Sequence, residues 1–168
     1  MRQLIDQQRI GEILREIESN AQWMIDEFWQ ENEERRGTTD AGVLGVRIRR
    51  EASSKWFRIV WYHNRFVRTG DGAGKKRVLS TEIPKGSGYR YHPNKFKKGK
   101  PWEEVLAIEM EGIFSQMRRA QDILKDIERQ RVKWDAALPG AMGKIDPAVF
   151  DSLPQAKEGV DKKRKGGK

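Results

Sequence analysis

The sequence predicts an α+β domain: a small three- to four-stranded antiparallel sheet packed against two long α-helices, followed by a disordered basic C-terminal tail. Three observations carry this. Apolar residues recur at helical spacing near both ends of residues 1–135, the spacing switches to strict alternation between them, and the last 33 residues lose apolar patterning and end in a Lys- and Gly-rich stretch. A chain of 168 residues without cysteine is long enough to bury one core without disulfide or metal staples. One domain over 1–135 is therefore expected, with a flexible tail over 136–168.

The first helix is expected over 3–35, because Ile10, Leu14, Ile17, Ala21, Met24 and Phe28 follow at steps of four and three. Ile13, Ile25 and Trp29 widen that stripe beyond a narrow two-helix seam. The segment Gly37 to Gly42 ends it. Leu44, Val46 and Ile48 then alternate with Gly45, Arg47 and Arg49, the period of a half-buried strand with an arginine face. A second strand is expected from Trp56 to about Phe66, with Phe57, Ile59 and Trp61 on one face and Trp56, Arg58, Val60 and Tyr62 on the other. A glycine-rich turn at 70–74 leads to a third strand from Lys75 to Ile83, stopped by Pro84. Residues 85–100 hold too much Gly and Pro for a helix, and Tyr89–Tyr91 offers a fourth, short strand. Pro101 suits the first position of a helix, and Glu103 and Glu104 suit its positive end. Leu106, Met110, Ile113, Met117, Ala120, Leu124 and Ile127 carry this second helix over 101–135. Asp146-Pro147 offers a cap for a short helix at 147–153. The two long helices can pair within the chain or across a homodimer, which periodicity does not separate.

The charge is unevenly placed. Residues 43–100 carry 16 Lys and Arg against only Glu51, Asp71 and Glu82, more than the whole net charge of +9, while both flanking helices are acidic. Clustered cations of this kind point to a polyanionic partner, and alternate residues on a strand present them on one face, as binding of a phosphate backbone requires. Candidate nucleic-acid-binding residues are Arg47, Arg49 and Arg58 on the first two strands, and Lys75, Lys76 and Arg77 at the start of the third. The 85–100 segment adds Lys85, Arg90, Lys95, Lys97 and Lys98, interleaved with Tyr89 and Tyr91 as stacking rings. Most of the six tryptophans are expected in the core, with Trp56 the one that shares the arginine face.

Catalysis has little to stand on. Acidic residues lie mainly on the helices, the chain has only His63 and His92, and Ser53, Ser54 and Ser80 have no evident base. The Lys85-Gly86-Ser87-Gly88 stretch lacks the spacing of a phosphate loop or a dinucleotide fingerprint. No catalytic residue, metal or cofactor is expected. No apolar run approaches the roughly 20 residues that span a bilayer, and the amino terminus lacks a signal-peptide core, so a cytoplasmic protein without a membrane partner is expected.

The order of short motifs resembles the MobI family of conjugative-transfer proteins. The likeness is carried by Asp26-Glu27-Phe28-Trp29, Gly45-Val46-Arg47-Ile48-Arg49, Phe57-Arg58-Ile59-Val60-Trp61 and the run Ile83 to Tyr91. It continues through Phe96, Trp102-Glu103, Glu111 to Phe114, and Arg118, covering roughly residues 10 to 130. The resemblance implies a relaxosome accessory that binds the origin of transfer as double-stranded DNA and helps a separate relaxase begin plasmid mobilisation. It implies no catalytic residue. Two other functions fit the composition: an RNA- or single-strand-binding module stacking bases on Trp56, Tyr89 and Tyr91, and a helical scaffold that binds a partner protein.

Overall fold

The computed structural model describes residues 7–68 and 76–142. Helix α1 spans Gln7–Glu34, strands β1, β2 and β3 span Leu44–Arg50, Phe57–Arg68 and Lys76–Glu82, and helix α2 spans Pro101–Met142. The fold is α+β, as the alternation of periods predicts. The short helix expected at 147–153 lies outside the described residues. Packing divides the chain into a unit from Met1 to Glu128 and a second from Arg129 onward, so α2 contributes its last turns to the second unit.

The sheet is an antiparallel meander in the order β1-β2-β3. Val46 pairs with Trp61, and Ile48 with Ile59, which puts these four residues on the face toward the helices. Trp61 is fully buried at the centre of the core. Phe28 of α1 meets it edge-on at 5.4 Å between ring centroids, and Phe96 meets it at 5.1 Å. Such edge contacts add about 0.5–1.5 kcal/mol each beyond area burial. A second cluster joins Ile10 and Leu14 of α1 to Leu124 of α2. The start of one helix thus packs on the later part of the other.

The strand edges next to the helices are closed by side chains. On β1, the buried Glu103 carboxylate accepts from the Val43 and Leu44 amides at 3.0 and 2.7 Å, and Trp29 Nε1 donates to the Val46 carbonyl at 3.1 Å. Glu103 also accepts from the Lys100 amide at 2.8 Å, so one carboxylate serves the entry of α2 and the entry of β1 together. On β2, pairing with β3 covers only Tyr62 to Arg68. In the uncovered half, Gln121 Oε1 accepts from the Phe57 amide at 3.3 Å and Arg118 Nη2 donates to the Ile59 carbonyl at 3.1 Å. Here lies the reason why no fourth strand forms at Tyr89–Tyr91: α2 side chains already occupy the positions such a strand would bond. The residues after Pro84 instead make bends and a single 3₁₀ turn at Pro93–Lys95, whose N-terminus is capped by His92 Nδ1 accepting from the Asn94 amide.

The same polar side chains turn α2 relative to its predicted apolar stripe. Glu111, Phe114, Gln121 and most of Arg118 face inward, while Ile113, expected in the core, is 51% exposed.

Candidate nucleic-acid interface

The register places Arg49 opposite Arg58 and Arg47 opposite Val60, so all three arginines stand on the sheet face turned away from the helix-facing core. Gly45 and Tyr62 form the adjacent pair on that face. A Cβ on Gly45 would lie 2.5 Å from the Tyr62 ring, so the glycine is what lets the ring lie flat across β1. The Arg47 guanidinium sits 4.8 Å from the centroid of that ring, and desolvation raises the Tyr62 phenol above its ordinary value of 10, opposed by the charge of Arg47.

Glu82 of β3 reaches both other arginines, at 2.7 Å to Arg49 Nη1 and 3.0 Å to Arg58 Nη2. One carboxylate therefore serves two guanidinium groups and leaves the trio strongly positive. All partners are solvent-accessible, and exposed pairs contribute only about 0–1 kcal/mol. A phosphate can compete for either arginine at small cost.

Several of the remaining candidates lie away from this face. Arg77 is exposed but pairs in register with Val67, on the opposite side of the β2–β3 hairpin. The backbone of Lys76 opens β3, and Lys75 lies outside the described residues. Lys95, Lys97 and Lys98 flank Phe96, whose fully buried ring packs against Trp61, so this segment closes an end of the core. His63 lies beside it. Its imidazole is held below the ordinary 6.5 by burial and by the nearby Lys98 charge.

Residues 83–91 form an edge between these two regions. The Arg118 guanidinium, 11% exposed, donates to Glu111 Oε1 at 2.5 Å, Glu111 Oε2 at 3.2 Å, the Tyr89 carbonyl at 2.8 Å and the Ile59 carbonyl at 3.1 Å. Glu111, 1% exposed, also accepts from Trp61 Nε1 and the Tyr91 amide, both at 2.9 Å. This pair fixes the loop to the sheet from α2. Tyr91, expected as a stacking ring, is 2% exposed and belongs to the core, with burial pushing its phenol above the ordinary value. Its ring packs beside Phe96 and under the Arg118 guanidinium. Tyr89 is 40% exposed and Arg90 is exposed. Trp56 is half-buried, with Lys55 and Lys125 over its ring at 5.3 and 5.4 Å, so it presents cations in place of a bare face.

A cleft of about 640 Å³ opens between the uncovered half of β2, residues 82–91 and α2. Gly86 and Gly88, at φ values of 86° and 79° with open space around them, turn its outer wall. Lys85 Nζ folds back onto the Gly88 carbonyl. A second hollow of about 340 Å³, lined by Arg49, Arg50 and Trp56, adjoins it and shares Phe57, Arg58 and Lys125.

Glu111 and Arg118 are the positioning residues that composition alone does not single out. Their signal is a Glu and an Arg seven residues apart on one helical face, amid Ala107, Phe114 and Gln121. Among the described residues there is no group of three or more His, Asp or Glu arranged to hold a metal ion, and no helix long and apolar enough to cross a membrane. The family model described as MobI protein matches residues 17–132, which takes in the sheet, the 83–100 segment and most of both helices. No curated protein and no solved structure matches the chain.

Proposed function

Since the chain belongs to the MobI family of mobilisation proteins, we propose that it binds double-stranded DNA at an origin of transfer and assists a separate relaxase, acting in the cytoplasm and cutting no strand itself. The observation that carries this is the outer sheet face, where the exposed side chains of Arg49 and Arg58 and that of Arg47 share the side turned away from the main core, around the buried Val60 and Tyr62. Phosphate contacts from such a face supply affinity, and the forked arginine side chains suit guanine edges when sequence is read. The Glu82 pairing supports the same reading, because it holds two guanidinium groups at a set spacing yet yields them cheaply to phosphate.

Duplex binding by the triple variant R47E/R49E/R58E tests the proposal. Binding should be lost with the circular dichroism spectrum unchanged, since the three side chains fill no core position. A folded triple variant that binds duplex as well as the parent at moderate salt removes the face from consideration. Purified protein should leave supercoiled plasmid intact with magnesium, manganese or zinc. A homodimer belongs to the same proposal: Ile113 and Ile123 are exposed on α2, and sedimentation should give about twice the 19.6 kDa chain mass. A mass near that of one chain counts against it.

A further inference from the structure

We propose that the cleft between β2 and residues 82–91 receives an unpaired nucleotide of the bound DNA, so that the protein favours strands that are already open. This rests on the DNA-binding reading above and adds a site to it.

The cleft volume of about 640 Å³ falls in the range of pockets that hold small organic ligands, about 300–1,000 Å³. Its charged lining is Arg58, Lys85, Arg118 and Lys125 against Glu82 and Asp122. Glu82 pairs with Arg49 and Arg58, Asp122 with Lys125 at 3.0 Å, and Arg118 with the buried Glu111, while Lys85 is held on backbone carbonyls. With two guanidinium groups on the one Glu82 carboxylate and Lys85 at the wall, an anionic group entering the mouth meets an excess of positive charge. Its aromatic wall is Tyr89, exposed yet fixed in place, because Arg118 binds its carbonyl and Glu111 the Tyr91 amide two residues on. A base-sized ring can lie on Tyr89 with little ordering cost, since the loop is held before binding. Arg58 belongs both to this cleft and to the outer arginine face, and it joins the cleft to the second hollow. A duplex held on the face thus runs past the mouth of the cleft. A paired base is not offered to such a site, whereas a base freed from its stack is.

Three DNAs of one sequence provide the test: a full duplex, the same duplex with two unpaired nucleotides at its centre, and the single strand, each followed by fluorescence anisotropy with the full chain. The parent should bind the interrupted duplex at least about fivefold tighter than the full duplex, the lower end of what one base–aromatic stack contributes. Tyr89→Ala and Lys125→Ala should bring that ratio toward one, and Tyr89→Phe should keep it. A deoxynucleoside monophosphate in large excess should not compete, because the contact is made within a bound strand. Equal affinity of the parent for full and interrupted duplex overturns the inference, as does a ratio unchanged in Tyr89→Ala, and both leave the duplex-binding reading intact. Loss of binding to all three DNAs in the parent overturns both. Competition by the free monophosphate with an unchanged duplex affinity overturns the assignment to DNA and makes the cleft a mononucleotide site.

Discussion

Replacing Glu111 with Ala strikes the point on which the sheet, the loop and α2 converge. The substitution removes both oxygens that receive Trp61 Nε1, the Tyr91 amide and two nitrogens of Arg118, while Arg118 keeps its two carbonyl partners. Breaking a buried ion pair by deleting one partner costs about 3–5 kcal/mol, and each buried donor left without an acceptor about 1–3 kcal/mol more. These costs overlap, because water entering the space relieves several at once, so about 4–6 kcal/mol is expected in total. Against a domain stability of about 5–15 kcal/mol, that leaves Glu111→Ala barely folded or unfolded. In urea the midpoint should fall by about 2–3 M, monitored by far-ultraviolet circular dichroism. Glu111→Gln keeps one acceptor and the shape of the side chain, and should lose about half as much. The double variant Glu111→Leu, Arg118→Met removes both charges and should cost clearly less than the sum of its single changes. A loss below about 1 kcal/mol in Glu111→Ala, or an additive double variant, would refute the view that this pair fastens the loop to the sheet.

On duplex DNA, log affinity against log salt should have a slope of roughly −5 to −7, from about six to eight phosphate contacts at about −0.9 each, and Arg90→Ala should make it shallower if that residue holds one phosphate. A slope near zero would contradict the electrostatic reading. Gly45→Ala should destabilise by about 1–3 kcal/mol, because its Cβ would overlap the Tyr62 ring, with thermal unfolding as the measure. His63 has its folded-state pKa lowered, so the unfolded chain binds the proton more readily: its contribution is fully present above the ordinary value of 6.5 and is lost as pH falls below it. Unfolding between pH 7.5 and 5 should therefore show a shallower acid-side loss in His63→Gln than in the parent, and identical profiles would exclude His63 as a source.

Much of the architecture was legible because it depends on local period. Strand alternation puts Arg47 and Arg49 on one side of β1, and antiparallel pairing brings Arg58 to the same side. The helix stripe of α1 names Ile10, Leu14, Ala21 and Phe28, all buried. For α2 the stripe misplaces Ile113, because the buried face was assigned from apolar residues alone. The uncovered half of β2 requires hydrogen-bond partners, and only its tertiary neighbours reveal that Glu111, Arg118 and Gln121 must turn inward to supply or support them. Tyr91 escaped for a related reason. Its neighbours in sequence are charged and flexible in composition, while its ring is covered by Arg118 from α2 and packs on Phe96 five residues on. The Glu82 bridge required the β2–β3 register, which composition does not carry.

An exposed strand edge is a template on which another chain can add and start an aggregate. In this sheet Trp29 and Glu103 occupy bonding positions along β1, and Gln121 and Arg118 do so along the uncovered half of β2. β3, the other edge strand, is seven residues long with the exposed Arg77 near its start. Two copies meeting there in parallel register would bring like charges together. The side chains that hold the loop and the strand entries in place therefore also occupy backbone groups at which a strand of a second copy would add.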